Sequence, residues 1–137
     1  MKREIKFRGK STDTGKWIYG FLSFFYTAGR DENGLILTDK AKIYSPEDCR
    51  CDDVWAETVG QFTGLCDKNG KEIYEGDILM CEQHIALVLW NKELATFALQ
   101  FDFEKKVGMR PLGEWHAMTV VSNIHDNPNL LKENSHK

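Results

Sequence analysis

Apolar residues along this chain fall in short runs that alternate with polar ones at a period of two, the spacing of half-buried β-strands. Residues 3 to 8 alternate in this way, and Gly9-Lys-Ser-Thr-Asp-Thr-Gly15 then supplies residues that tolerate positive φ or bond their own backbone, so a turn is expected there. A second strand follows from Trp17 to Phe25. Strict alternation puts Trp17, Tyr19, Phe21, Ser23 and Phe25 on one face and Ile18, Gly20, Leu22 and Phe24 on the other, so this strand is expected to be covered on both sides. Gly20 in its middle marks a bend or a close approach of another backbone. Leu35 to Leu37 and Lys42 to Tyr44 read as two further short strands, and residues 45–53 lack any period and read as a loop. Strands are then expected at 57–63, 77–82, 85–90, 95–103 and 115–124.

The densest information lies in residues 59–79. Val59, Phe62, Leu65, Ile73, Tyr74, Ile78 and Leu79 supply core side chains around two turns, Asp67 to Gly70 and Glu75-Gly-Asp77. Asn69-Gly70 is the pair favoured in type I′ hairpins. Short strands with glycine-bearing corners describe a small β-barrel, because curling the sheet protects its edges. Every polar residue in the stretch has a duty in turn geometry, so it specifies fold and not chemistry. Asn127 with Pro128 can open a single helical turn, and residues beyond Leu131 read as a tail. The whole is read as one domain: a β extension over 1–45, the loop 45–53, the barrel over 54–126, and a short helical turn and tail over 127–137.

Length and charge narrow the function classes. A chain of 137 residues that is 42% apolar has material for one core. Its apolar runs fall well short of the roughly 20 residues that span a bilayer, so no membrane partner is expected. Charged residues interrupt the N-terminal segment where a signal peptide would be apolar, and a cytoplasmic protein is expected. With 18 basic against 21 acidic side chains, the chain has no overall attraction for nucleic acid. A local one is conceivable: Lys2, Lys6, Arg8 and Lys10 share one parity, with only Glu4 among them, and Trp17 and Tyr19 lie on the neighbouring strand. The simpler reading is a solvated strand face with Ile5 and Phe7 packed inward.

Four cysteines without an export signal are expected as free thiols. Cys49-x-Cys51 and Cys81-x2-His84 are weak candidates for zinc, since neither pair by itself makes a tetrahedral site and Cys81 has a simple role as a small apolar strand residue. No cofactor is expected. For catalysis the polar candidates are His84, Glu114, His116, His125, Asp126, Glu75 and Asp77. Glu114-Trp-His116 would place an acid and a base on one strand face, and Asp126 has a ready role at the Pro128 turn. No phosphate loop, nucleophile elbow or metalloprotease motif is present.

Lys6-Phe-Arg-Gly-Lys, Gly15-Lys-Trp-Ile-Tyr-Gly, the run from Thr58 to Leu79, and Val121-Ser-Asn-Ile-His-Asp-Asn-Pro-Asn-Leu-Leu together resemble the YopX family of phage and prophage proteins. The resemblance implies an all-β fold with an SH3-like barrel in the C-terminal half, an origin in a phage or integrated element, and no catalytic residue to carry over. The cysteine-bearing loop and Cys66 are not part of the pattern. Binding is therefore the expected mode of action. A host or phage protein is the leading partner, and nucleic acid held by Lys6, Arg8, Lys10, Trp17 and Tyr19 comes second. Hydrolysis is third, and self-association through the strand edges at 3–8 or 35–44 is a further route. Aromatic rings, at 12% of the chain, are the natural contact groups, with Trp17, Tyr19, Trp55, Tyr74, Trp90 and Trp115 as the largest amphipathic ones.

Overall fold

The computed structural model describes residues 4–82, 84–101, 109–111 and 117–130, the segment 109–111 by its backbone. The strands among them form two antiparallel sheets. The chain divides into two compact units, one ending at Phe62 and the other beginning at Thr63.

The first unit contains β1 (Phe7–Lys10), β2 (Trp17–Asp31), β3 (Gly34–Ser45), β4 (Arg50–Trp55), the 3-10 turn Ala56–Thr58 and the start of β5 (Gly60–Cys66), in the order β4-β3-β2-β1-β5. Its core is Ala41, Ile43 and Val54, fully buried, with Phe7, Ile18, Leu22 and Phe25 packed on them. Two glycines permit this packing. A Cβ on Gly9 would lie 2.7 Å from Val54 Cγ2, and one on Gly20 would run into the Tyr44 carbonyl, whose carbon would be only 2.8 Å away. The close approach expected at Gly20 is therefore observed. Thr58 ties the 3-10 turn to β1: its hydroxyl donates to the Trp55 carbonyl at 2.6 Å and accepts from Lys10 N at 2.8 Å. An isolated bridge from Ser11 to Val54 joins the end of β1 to β4.

Several expectations are corrected in this unit. Residues 35–37 and 42–44 belong to one continuous strand, β3. The loop assigned to 45–53 is shorter, because after a turn around Pro46–Cys49 the residues from Arg50 on pair with β3. Cross-strand bonds there override a composition that has no apolar period. Strict alternation along β2 also fails. The register shifts between Leu22 and Phe24, a bulge at Ser23, so Leu22 and Phe25 both pack on the core while Phe24 turns outward. Ile5 is exposed rather than packed inward.

The second unit continues β5 and adds β6 (Glu72–Tyr74), β7 (Asp77–Cys81), β8 (His84–Asn91), β9 (Thr96–Phe101), β10 (Met109–Pro111) and β11 (Thr119–Asn123). The strands β10-β9-β8-β7-β11 form a sheet in that order. It has two edges, so the closed barrel expected over 54–126 is not its form. Ile73, Leu79, Ala86, Val88, Leu99, Phe101, Met118 and Val120 make the core. Leu99 and Phe101 point into it with Phe97 packed against it, and Ala98 between them is buried as well.

Two buried aspartates organise its corners. Asp67 Oδ1 accepts from the amides of Asn69 at 2.8 Å and Lys71 at 2.9 Å, and Oδ2 accepts from Val120 N at 2.9 Å. The Asn69-Gly70 pair is thus not a type I′ turn: Gly70 has φ +85, but Asn69 keeps a negative φ because the Asp67 carboxylate shapes the loop. Lys68 N donates to the Met118 carbonyl at 3.1 Å, so the loop covers the free side of β11. Asp77 Oδ2 accepts from Tyr74 N at 2.8 Å across the Glu75-Gly76 corner. Gly76, at φ +95, donates to Val88 O at 2.8 Å and accepts from Ile124 N at 2.9 Å.

Burial works against ionisation of Asp67, yet the three amides outweigh it and hold the carboxyl below the usual aspartate range. The folded group therefore titrates below the unfolded one. Its contribution is complete above the ordinary value near 3.8 and is lost as pH falls through the depressed one. Thermal unfolding followed across pH should show this acid loss in the wild type and a flatter profile in Asp67→Asn. Asp67→Ala, which orphans three amides, should cost roughly 3 kcal/mol in a denaturant titration. Gly20→Ala should cost roughly 2 to 4 kcal/mol by the same measurement, since Tyr44 must move to admit the methyl.

Candidate functional site

Residues directly opposite in an antiparallel pair share a face. The register sets Lys10 against Trp17, and Arg8 against Tyr19 on one side and Gly60 on the other. Phe62 N donates to Lys6 O at 2.8 Å, which continues the row. The five residues singled out from the sequence, Lys6, Arg8, Lys10, Trp17 and Tyr19, do lie on one face of the first unit, directed away from its core.

That face is not a solvated basic stripe. The Arg8 guanidinium sits 4.5 Å from the Trp17 ring centroid and the residue is buried. Lys10 Nζ lies 5.6 Å from the same ring. Lys6 Nζ is 5.1 Å from the centre of Phe62 and 3.1 Å from Glu4 Oε1. The cations are laid over aromatic faces, where the ring quadrupole offsets part of their lost hydration.

Beyond these five, β2, β3 and β4 extend the face. Phe21 stands opposite Tyr44 and Tyr44 opposite Cys51; past the Ser23 bulge, Phe24 stands opposite Lys42, Lys42 opposite Asp53, and Lys40 opposite Trp55. Tyr19, Phe21 and Phe24 are 48%, 50% and 48% exposed, and Tyr44 and Trp55 more than a third. The strand expected to be covered on both sides is open on this one. Tyr26 packs edge-on against Phe24 at 5.1 Å and donates its hydroxyl to Asp53 Oδ1 at 2.7 Å. Lys42 Nζ lies 3.6 Å from that oxygen and 5.7 Å from the Tyr26 ring. Tyr26 first, and then Asp53, hold the Lys42 ammonium above the usual lysine range against the opposing effect of desolvation. Lys40 reaches over Trp55 at 5.9 Å.

The sequence reading missed Phe24, Lys40, Lys42 and Tyr44 as members of this face. Lys40, Lys42 and Tyr44 share a parity opposite to Ala41 and Ile43, a signal that was available; Phe24 depends on the bulge and had none.

The other candidates are distributed. Cys49 and Cys51 lie in the first unit, exposed, and Cys49 holds φ +51; Cys81 and His84 lie in the second, with Cys81 half-buried against its core. Among the described residues no group of three or more histidine, cysteine or carboxylate side chains is placed to hold a metal ion. Glu114, Trp115 and His116 fall outside the described residues. The Asp77 carboxylate serves the Tyr74 corner, and Asp126 accepts from the Asn123 side chain at 2.9 Å. No helix among the described residues is long and apolar enough to cross a membrane.

Fold and face together define an all-β protein of two antiparallel sheets with a ring-lined outer surface on the first. The family model described as YopX protein matches residues 6–132, and the chain belongs to that family. No curated protein matches it. Among solved structures it is similar to protein EF1440 from Enterococcus faecalis, at 26% identity and a TM-score of 0.50, over 95% of this chain and 99% of that one.

Exposed Cys49 and Cys51 should react with a thiol reagent before half-buried Cys66 and Cys81, read by mass spectrometry of peptides after timed labelling. The purified protein should retain zinc well below stoichiometric amounts. Tight zinc at one ion per chain, lost on Cys49→Ser, would overturn this.

Proposed function

We propose that this protein is a phage- or prophage-encoded cytoplasmic binding protein without catalytic activity, and that it holds a protein partner on the outer face of the first unit. One observation carries the reading: Tyr19, Phe21, Phe24, Tyr44 and Trp55 lie exposed side by side on β2, β3 and β4. Exposed apolar patches rimmed by polar groups mark interaction surfaces, and Tyr, Trp and Phe are the residues enriched in their centres. A meander of four strands whose fifth returns, after a 3-10 turn, to the open edge of the first is the layout of a small five-stranded barrel. The Ser11 bridge to β4 supports that layout. We therefore place the SH3-like character in the first unit rather than over 54–126.

A protein partner is favoured over nucleic acid because the cations here already have internal duties. Lys6 pairs with Glu4, Lys42 with Asp53, and Arg8 is buried against Trp17. Less charge is left to displace counterions from a phosphate backbone. Of the carboxylates a hydrolase could draw on, Asp77 is committed to the Tyr74 backbone amide.

Affinity capture from infected or lysogenic cells tests the proposal. The double variant Phe21→Ser, Tyr44→Ser removes two exposed rings, so its unfolding midpoint should stay close to the wild type. Its captured protein should fall about tenfold or more. Full retention of the partner would reject the face. A low-salt gel shift of single-stranded DNA, abolished by Lys10→Glu with Lys42→Glu, would replace the protein partner by nucleic acid.

A further inference from the structure

Past the last core pair, Phe25 with Ala41, strands β2 and β3 run on as a two-stranded arm to a tip at Asp31–Gly34. None of residues 27–40 is buried. Leu35, Ile36 and Leu37 are 57%, 41% and 59% exposed, and because adjacent residues point to opposite sides, both faces of the arm carry bare aliphatic surface. A two-stranded ribbon with water on both sides is marginal by itself. Its tip is acidic on balance, with Asp31 and Glu32 against Arg30, while Asp39 and Lys40 offset each other at its base. The outer face of the same unit has the opposite character, with exposed rings among Lys10, Lys40 and Lys42 and one carboxylate, Asp53, between them.

Building on the reading of that face as the contact surface, we infer that one occupant of it is the β2–β3 arm of a second copy of this chain. Leu35 and Leu37, on one side of the arm of one protomer, pack on Tyr19, Phe21, Phe24 and Tyr44 of its partner, and the acidic tip lies among the partner's lysines. The match is apolar to aromatic and negative to positive. The same two patches exist on both copies, so the exchange is reciprocal and closes as a twofold dimer, with no open chain of contacts. Dimerisation would cover the Leu35 and Leu37 side of the ribbon and the ring-lined face in one step. A phage or host protein would then compete with the second copy for the same surface.

Sedimentation equilibrium of the full chain over a concentration series tests this. The wild type should be dimeric, and Leu35→Glu with Leu37→Glu should raise the dimer dissociation constant by about thirtyfold or more, the loss typical of a central interface residue. Phe21→Ser with Phe24→Ser should do the same from the other side. An equimolar mixture of the two double variants should associate again, because an intact arm then meets an intact face. Asp31→Lys with Glu32→Lys, at exposed tip positions that leave the apolar residues in place, should weaken the dimer and make it insensitive to added salt. A wild type that stays monomeric, an arm variant that dimerises like it, or a mixture that fails to associate would overturn the inference. A monomeric wild type whose partner capture still depends on Phe21 and Tyr44 would sink the second copy alone. Capture unaffected by those two rings would sink the face as well.

Discussion

An aspartate with little access to water sits at the corner between β5 and β6, and its two carboxylate oxygens hold three backbone amides from two parts of the second unit. An amide buried without a partner costs more than a hydrogen bond returns, so a single side chain that satisfies three of them decides where the chain turns and where a strand ends. Through Val120, Asp67 anchors β11, the edge strand that follows the 112–116 region, to a loop about fifty residues earlier. Asp77 repeats the device at the next corner, for Tyr74. The most distinctive stretch of the sequence is thus explained by backbone satisfaction. Its two aspartates hold backbone amides at successive corners.

In the first unit the corresponding constraint is steric. Gly20 lets β2 meet the Tyr44 carbonyl closely, Gly9 lets β1 reach Val54, and the extra residue at Ser23 then reverses the phase of β2. Before the bulge Ile18 and Leu22 face the core; after it Phe25 does, and Phe24 joins Tyr19 and Phe21 outside. Phe24 owes its place on the aromatic face to that reversal. Its lysines are steadied by the rings beneath them and by Asp53, which makes the surface amphipathic rather than strongly basic.

Much of this was legible from residue order. Family membership, the all-β class, the strand at Thr96–Phe101, the close approach at Gly20 and the shared face of Lys6, Arg8, Lys10, Trp17 and Tyr19 all follow from patterning and motif. The barrel over 54–126 did not survive, because glycine corners show that strands turn without showing which strands pair. The short loop before β4 was hidden for a related reason. Arg50, Cys51, Asp52 and Asp53 have no apolar period, yet they form a regular ladder with Lys42 to Ser45.

What the chain determined by itself is local: strands with a period of two, corners that need glycine or an aspartate cap, and an alternation that sets one parity against the other. Which parity meets the core was decided only by tertiary structure, since a single bulge in β2 exchanges the two. Exposure was decided there too. A ring has the same sequence signature whether another strand covers it or water does, and only the packed sheet distinguishes buried Tyr74 from exposed Tyr19.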